Sequence, residues 1–448
     1  MSDRRAAARE PEAPASRDGR APRFSPLDYH DPAPLPWLIH ALGIVNRFGV
    51  LGGLMKLRRF DLPAADLARL RAAVNPGTLA FLGPGHPEFL TDWMVDKELS
   101  RRVSPLMAHW ASYEIVNASP AARAFWLANN LIANVPGGGG KAYSVAWAAR
   151  GHGVLLHPEG TATWQGERIS TLLPGIVDMA WQAADELCSR HDTRPVWLVP
   201  LIWRLTFVTD PRRGLEREIE RIERGLSLKR ERGALAERFA ALMCGLLARQ
   251  CERLGLAAPS LGGNGNAHGY FAAQAGALAA LRSALAARYG ELDADLTRAQ
   301  FQLRKAMRER AAADPAAVRR DRGLLMELQR LAGFDPALYD TPRLAPERMA
   351  EVLKRTRSSL MTRGFRNALH NTFPVAVAPR AVHVRVAEPI GVHGALAASR
   401  PESAVATRAA LLAGHGERLQ AALAALGREL GEPGHMVENA LWSGSTAS

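Results

Sequence analysis

A histidine and an aspartate follow the end of a short apolar segment. Residues 78–82, Thr-Leu-Ala-Phe-Leu, have the length and composition of a buried β-strand, and a Gly-Pro-Gly turn then leads to His86. Open α/β sheets place their active sites at the carboxyl ends of strands. The pattern therefore predicts that His86 is a general base and that Asp92 orients it. Glu88 and Asp96 are alternative orienting residues.

The spacing between the two side chains constrains how they can meet. Five residues separate His86 from Asp92. A continuous helix would turn two such positions by about 240° relative to each other. We therefore expect His86 in the loop before a helix, a change of direction at Pro87, and Asp92 in or near the first helical turn.

Two further apolar segments end in distinctive residues. Residues 153–157 lead into a Pro-Glu-Gly-Thr turn with Glu159, Gly160 and Thr161, and residues 195–203 contain Pro200 in a Val-Pro pair. A carboxylate, a glycine amide and a hydroxyl at a strand end can hold a polyol or a phosphate-bearing ligand. Glycine allows the backbone to approach such a ligand closely.

A glycine-rich turn follows another predicted strand. Residues 130–135 lead into Pro-Gly-Gly-Gly-Gly and then Lys141, at the start of a helical pattern. Helix N-termini bind anions, so Lys141 and the adjacent amides are candidates for binding a phosphate. The spacing differs from that of a P-loop, and Ala142 stands where a P-loop has Ser or Thr.

The order of these motifs resembles that of the glycerolipid acyltransferase superfamily, the 1-acylglycerol-3-phosphate and glycerol-3-phosphate acyltransferases. That family has a His and an Asp separated by four residues, or by five in some branches, then Phe-Pro-Glu-Gly-Thr, then a strand bearing Val-Pro. Residues 75–210 and 380–395 are similar to it. Two positions depart from the pattern: His157 stands where the family usually has Phe, and the Arg that usually follows the second-motif strand is absent.

The resemblance implies an O-acyltransferase that moves a fatty acyl group from acyl-CoA or acyl carrier protein to a hydroxyl. The acceptor would be a lysophospholipid or a glycerol-phosphate-type compound. The absent Arg also admits a lipid acceptor that is not built on glycerol. His86 and Asp92 would be the catalytic pair, and five residues would bind substrate: Lys141, Glu159, Gly160, Thr161 and Pro200. We expect no metal and no cofactor beyond the thioester co-substrate.

The rest of the sequence predicts how these residues are positioned. From 61 to 210 predicted strands at 78–83, 130–135, 153–157 and 195–203 alternate with predicted helices at 93–115, 120–128, 141–150 and 174–188. This alternation is typical of an α/β fold with a mostly parallel sheet flanked by helices. Residues 211–375 have helical periodicity, and strand character returns at 381–390. We therefore expect a mainly helical insertion before the last core strand, which would make 376–398 the end of the core.

The terminal regions differ from the core. Residues 1–30 have almost no large apolar groups and predict a disordered tail. Residues 36–55 are the most apolar segment, and basic residues follow directly at 56, 58 and 59. A helix of this kind is typical of the membrane interface, although a core helix or a spanning helix is an alternative. A helix over 403–430 and a loose tail complete the predicted chain.

The composition limits the partners. The net charge is +13, which favours a polyanionic partner such as an anionic membrane surface. We expect a peripheral protein on the cytoplasmic face, and no nucleic acid. A protein of another class is the main alternative: a basic helical binding protein with an inactive acyltransferase-like core. A hydrolase is disfavoured because no Gly-x-Ser-x-Gly elbow is present.

Overall fold

The computed structural model describes residues 24–88, 91–160, 167–230, 232–262, 267–311, 313–373, 375–397 and 403–442. The first part begins with helix α1 (Pro36–Val45), which continues as a π-helical segment (Asn46–Leu54). Six strands and six helices follow: β1 (Leu57–Asp61), α2 (Ala64–Ala73), β2 (Leu79–Pro84), α3 (Asp92–Val103), β3 (Ala108–Ser112), α4 (Tyr113–Val116), α5 (Pro120–Ala128), β4 (Leu131–Asn134), α6 (Gly140–Ala148), β5 (Val154–Leu155), α7 (Gly175–Ser189) and β6 (Val196–Phe207).

A mainly helical block comes next. Its elements are α8 (Arg212–Gly225), α9 (Leu235–Leu254), β7 (Ser260–Leu261), β8 (Ala267–His268), α10 (Tyr270–Tyr289), α11 (Leu296–Arg310), α12 (Pro315–Gly333), α13 (Pro336–Tyr339), β9 (Arg343–Leu344), α14 (Pro346–Leu360) and α15 (Phe365–Thr372). The chain then forms β10 (Arg380–Val386), β11 (Ile390–Gly391), α16 (Val392–Ala397), α17 (Ala404–Leu430) and β12 (Val437–Glu438).

The main sheet has the strand order β1-β10-β6-β2-β5-β3-β4, and β11 also pairs with β6. The pairs from β6 to β4 are parallel, whereas β10 runs antiparallel to β6 and parallel to β1. The predicted fold class, a mostly parallel α/β sheet with a mainly helical insertion before a late core strand, is confirmed. Among the described residues, only the two-residue β11 follows β10 in the sheet.

Strand β2 lies in the centre of this sheet, and every one of its residues is buried. Its side chains alternate between two cores, as the twofold repeat of a strand requires. Ala80 and Leu82 pack with residues of α2 and α3, whereas Leu79 and Phe81 pack with residues of α6 and α7. Burial on both faces explains why this strand reads as a continuous apolar run in the sequence.

The helical block has a core of its own, formed by apolar side chains of α8, α9, α10, α12 and α14. The C-terminal segment returns to it. Val437 pairs with Leu344, and Leu441 is buried in the same core. The expected loose tail from residue 431 is therefore wrong for the described part of that segment, because its apolar side chains complete a core formed far earlier in the chain.

Two other expectations need correction. The predicted helix 93–115 ends at Val103, because Ser104 is extended and the following Met-Ala-His-Trp-Ala run pairs as β3 with strands on both sides. Within the expected disordered tail, residues 1–23 lie outside the described residues. Residues 24–30, however, are fixed on α5, where Arg123 donates to the carbonyl oxygen of Ser25 at 2.5 Å.

Strand β2 reaches its end against α17. The buried His415 donates from Nε2 to the carbonyl oxygen of Gly83 at 3.0 Å, and burial lowers the pKa of His415 to about 4, so the ring is neutral. A Cβ at Gly83 would stand 2.4 Å from that Nε2. The strand end that precedes His86 therefore requires glycine at this position.

We predict that Gly83→Ala lowers the free energy of unfolding by about 1–3 kcal/mol, because the methyl group must displace the buried His415 ring. Gly323→Ala is the matched control. Gly323 is an exposed position inside α12 with open space where a Cβ would stand, so its alanine variant should gain up to about 1 kcal/mol. Chemical denaturation measures both variants, and equal midpoints would contradict the role of Gly83.

Candidate functional site

The loop after β2 is held at its backbone by two neighbouring elements. Gly85 donates its amide to the carbonyl oxygen of Leu201 in β6 at 3.0 Å. His86 donates its amide to Oε1 of Glu159 at 2.6 Å. Because β2 is paired in parallel with both β5 and β6, these contacts fix where the His86 side chain enters the site.

His86 and Asp92 form the predicted contact. Nε2 of His86 lies 2.5 Å from Oδ2 of Asp92, which is the first residue of α3. Burial by itself would raise the pKa of Asp92, but its interactions with His86, His157 and the Trp93 amide outweigh burial and lower the pKa to about 2. An ionised carboxylate only accepts hydrogen bonds, so Nε2 carries the ring proton that faces it.

A second histidine–aspartate pair lies beside the first. His157 follows β5, and its Nε2 lies 2.8 Å from Oδ2 of Asp96. Asp96 is four residues after Asp92, so both carboxylates project from the same face of α3. Burial alone would lower the pKa of His157, but Asp96, Asp92 and Glu159 raise it to about 9. At neutral pH His157 is therefore a cation between carboxylates.

The two imidazole rings are stacked. Their centroids lie 4.2 Å apart and their planes differ by 23°. Adjacent parallel strands produce this arrangement: Leu82 of β2 is paired with Leu155 of β5, and each strand then delivers its histidine to the same edge of the sheet. Sequence reasoning identified the first pair and treated Asp96 only as an alternative partner of His86. The signal for the second pair was the histidine that precedes the Pro-Glu-Gly-Thr turn.

Three of these residues offer atoms that a metal ion could use. Ligand atoms of His86, Asp92 and His157 lie within 4.8 Å of one another. Two ligands of one tetrahedral zinc ion, each at about 2.1 Å from it, stand about 3.4 Å apart. The 2.5 Å contact between His86 and Asp92 is instead that of a direct hydrogen bond. The geometry favours two acid–base pairs over a metal centre.

Glu159 was predicted to bind substrate, but both of its carboxylate oxygens contact protein groups. It is buried, Oε1 accepts from the His86 amide, and Oε2 accepts from the amide and the hydroxyl of Ser170 at 2.8 and 2.6 Å. Both oxygens therefore bind protein groups, and this carboxylate ties two loops of the site together. Gly160 has φ +67°, and a Cβ there would meet Leu173 at 2.5 Å. Thr161 lies outside the described residues.

The other predicted binding residues are distributed more widely. Lys141 is half-exposed at the start of α6, where Nζ forms an ion pair with Asp178 at 3.0 Å. Tyr29 covers the glycine turn before α6, since a Cβ at Gly138 would lie 2.8 Å from its ring. Pro200 is buried inside β6. The structure thus brings Glu159 and Gly160 to the His86 site and places Pro200 beside the end of β2, where it pairs with Gly83. Lys141 makes its described contact elsewhere.

Glu88, the other alternative partner of His86, belongs to a buried ion cluster. Arg380 at the start of β10 donates to both of its carboxylate oxygens at 3.0 and 3.1 Å, and Nζ of Lys354 in α14 lies 3.3 Å away. The cluster joins the His86 loop to the last main strand and to the helical block. These partners come from residues almost 300 positions away in the chain, and no local pattern identified them.

Comparison with family models, with curated proteins and with solved structures finds no match to this chain.

The charge on His157 predicts a pH-dependent stability. Its folded-state pKa of about 9 lies above the ordinary 6.5. The stabilisation is therefore complete below about pH 6.5 and is lost as the pH rises through about 9. Over this window the wild type should lose up to about 3 kcal/mol of unfolding free energy relative to His157→Gln. Denaturation at several pH values measures this.

The matched control is His40→Gln, because His40 is exposed in α1. Its curve of unfolding free energy against pH should run parallel to that of the wild type. A His157→Gln curve that also runs parallel to the wild type would show that His157 carries no charge in the folded state.

Proposed function

We propose that this protein is an O-acyltransferase that transfers a fatty acyl group from a thioester to the hydroxyl of a lipid or glycerol-phosphate-type acceptor. The observation that carries the proposal is the direct contact of His86 with an ionised Asp92 at the carboxyl end of a central parallel strand. The ordered motifs in the sequence support it, because the segment that carries the Pro-Glu-Gly-Thr turn reaches the same site through Glu159 and His157.

The chemistry follows from the tautomer of His86. Since the Nε2–H bond faces Asp92, Nδ1 is the ring atom that accepts the proton of the acceptor hydroxyl. The hydroxyl oxygen forms a bond to the thioester carbonyl carbon, the carbon–sulfur bond breaks, and the sulfur leaves with the bonding electrons as a thiolate. Asp92 holds the ring in orientation and stabilises the imidazolium that forms. The attacking hydroxyl is the nucleophile, so no acyl-enzyme intermediate is required.

The acceptor is the least constrained part of the proposal. The second motif lacks an Arg, and Lys141 forms an ion pair with Asp178. A glycerol-phosphate-type acceptor would need another cation for its phosphate, and a lipid acceptor not built on glycerol is the alternative. The donor is acyl-CoA or acyl carrier protein, and the mechanism uses no further cofactor.

A membrane surface is the proposed location of the reaction. Pro36–Leu54 is long and apolar enough to cross a bilayer by length and composition, and 28% of its most apolar window is buried. Trp37 and Phe48 are 68% and 72% exposed, and Ile44 and Val45 lie exposed between them. Arg58 and Arg59 follow on β1. An exposed apolar face with a basic flank is typical of an interfacial helix on an anionic membrane.

This apolar segment is fixed to the helix that carries both aspartates. The buried Asn46 donates from Nδ2 to the carbonyl oxygen of Met94 at 2.8 Å, and Met94 lies between Asp92 and Asp96 on α3. The proposed membrane contact and the acid–base site are therefore attached to one rigid element. A peripheral protein on the cytoplasmic face could then take a lipid acceptor directly from the bilayer.

The alternative of a basic helical binding protein receives less support. In α8, Glu218 and Glu223 are buried, and they pair with Arg357 and Arg238 at 3.1 and 3.0 Å. Arginines that form ion pairs with glutamates inside the helical block do not form an exposed basic stripe that could follow a phosphate backbone.

We predict that His86→Ala lowers kcat for transfer from acyl-CoA by at least about 10³-fold, and that Asp92→Asn lowers it by about 10²-fold or more. The reason is that one variant removes the base and the other removes the carboxylate that fixes its tautomer. Product analysis with labelled acyl-CoA and candidate acceptors measures both. His191→Ala is the control and should keep wild-type turnover, because His191 is exposed in the turn after α7. A His86→Ala protein with full transfer activity would refute the function.

We also predict that Trp37→Ser combined with Phe48→Ser weakens binding to anionic lipid vesicles by roughly 100-fold, because each large apolar side chain contributes about 1.5–3 kcal/mol when buried. Phe365→Ser is the control, since Phe365 is 82% exposed on α15. Vesicle sedimentation measures binding of each variant. Equal losses in the control and in the double variant would exclude a specific role for the N-terminal segment.

A further inference from the structure

The proton abstraction by His86 leaves the His157–Asp96 pair without a role. This pair repeats the geometry of the first: a histidine after a parallel strand, an aspartate on the same face of α3, and an Nε2–Oδ2 contact, here 2.8 Å long. Asp96 is 1% exposed, and the side chain of His157 is only 11% exposed. Burying two ionisable groups is costly, and a structural role in this place could be filled by an apolar pair.

We propose that His157, oriented by Asp96, is the general acid that gives a proton to the sulfur of the leaving thiol while His86 takes the proton of the acceptor hydroxyl. The inference rests on the proposed acyl transfer and adds a second catalytic residue to it.

The stacking provides the geometry for two proton transfers at one carbon. Both Nε2 atoms face carboxylates of α3, and the rings are nearly parallel at 4.2 Å between centroids. The Nδ1 atom lies on a different edge of an imidazole, so the Nδ1 edges of both rings are turned away from Asp92 and Asp96. Nδ1 of His157 makes no hydrogen bond within the described residues. The attacking oxygen and the leaving sulfur share one tetrahedral carbon, so a base and an acid that lie side by side can serve both.

The charges around His157 keep it protonated. Asp92 and Asp96 face it from α3, Glu159 from its own loop, and His86 from the loop after β2. His109 on β3 is also near, but burial lowers its pKa to about 3, so it is neutral. With three carboxylates around it, the pKa of His157 is raised to about 9. An alkyl thiol has a pKa of about 8.5, so the proton donor and the leaving group are well matched.

The two proton transfers in this step balance. The hydroxyl proton moves to His86, the carbon–oxygen bond forms, the carbon–sulfur bond breaks, and the sulfur takes a proton from His157. At the end His86 has gained one proton and His157 has lost one. Exchange with solvent restores both rings after the products leave.

Two thioester donors that differ in leaving group test the proposal. An acyl-CoA leaves as an alkyl thiolate, which benefits from protonation, whereas an acyl p-nitrothiophenyl ester leaves as a stabilised thiolate without it. His157→Phe keeps a ring for stacking on His86 but has no proton to give. We expect its kcat with acyl-CoA to fall by about 100-fold, the lower end of the range for general acid–base catalysis, and its kcat with the aryl thioester to stay near the wild-type value.

Asp96→Asn is the second variant, and it should show the same dependence on leaving group because it removes the carboxylate that keeps His157 protonated. The thermal midpoint of each variant checks that it is folded. If His157→Phe slows both donors equally, or slows neither, while His86→Ala abolishes transfer from both, the general acid is refuted and the acyltransferase stands.

Other results would remove both proposals together. Wild-type protein that transfers from neither donor, or His86→Ala protein that transfers from both, would overturn the proposed function and the inference with it. Loss of wild-type activity on chelation, with recovery on adding zinc, would assign His86, Asp92 and His157 to a metal site and would overturn the general acid.

Discussion

Helix α3 holds two carboxylates, one turn apart, in the interior of the protein. The site depends on the partners that offset the cost of burying these charges. Each meets one imidazole, Asp92 that of His86 and Asp96 that of His157. A buried charge without a partner would cost several kcal/mol. The helix therefore packs on the sheet at the place where two histidines can pair with its carboxylates. The parallel pairing of β2 with β5 supplies both at one edge. The position of α3, the loop after β2 and the proposed acid–base chemistry therefore share one constraint.

The surrounding ion pairs extend this constraint through the molecule. Glu159 links the His86 backbone to the loop that holds Ser170, and Glu88 links the same loop to Arg380 of β10 and Lys354 of the helical block. The helical block thus reaches within two residues of the proposed base. In the proposed function this connection allows the block to stabilise the site without contributing a reacting group.

The N-terminal apolar segment, which carries the proposed membrane contact, is bound to the same helix, α3. Asn46 binds Met94 of α3, and Arg47 pairs with Glu98 of the same helix. These contacts hold the exposed Trp37 and Phe48 in a fixed position relative to α3. A protein that takes a lipid from a bilayer gains from such a link, because the acceptor need not cross water to reach the base. The charge of +13 would strengthen binding to anionic lipids.

The sequence by itself determined the elements whose signals are local. Continuous apolar runs predicted β2, β4, β5, β6 and β10, helical periodicity predicted the block before β10, and the residues around Pro87 predicted that His86 would meet Asp92. It did not predict β1 or β3. The β3 residues, Ala-His-Trp-Ala-Ser, include no Val, Ile or Thr, and their two alanines also suit a helix. Tertiary structure alone decided that Asp96 pairs with His157, that Glu159 serves the His86 backbone, and that Lys141 binds Asp178. Those partners are distant in the chain, and which groups meet depends on strand order and register, which periodicity does not encode.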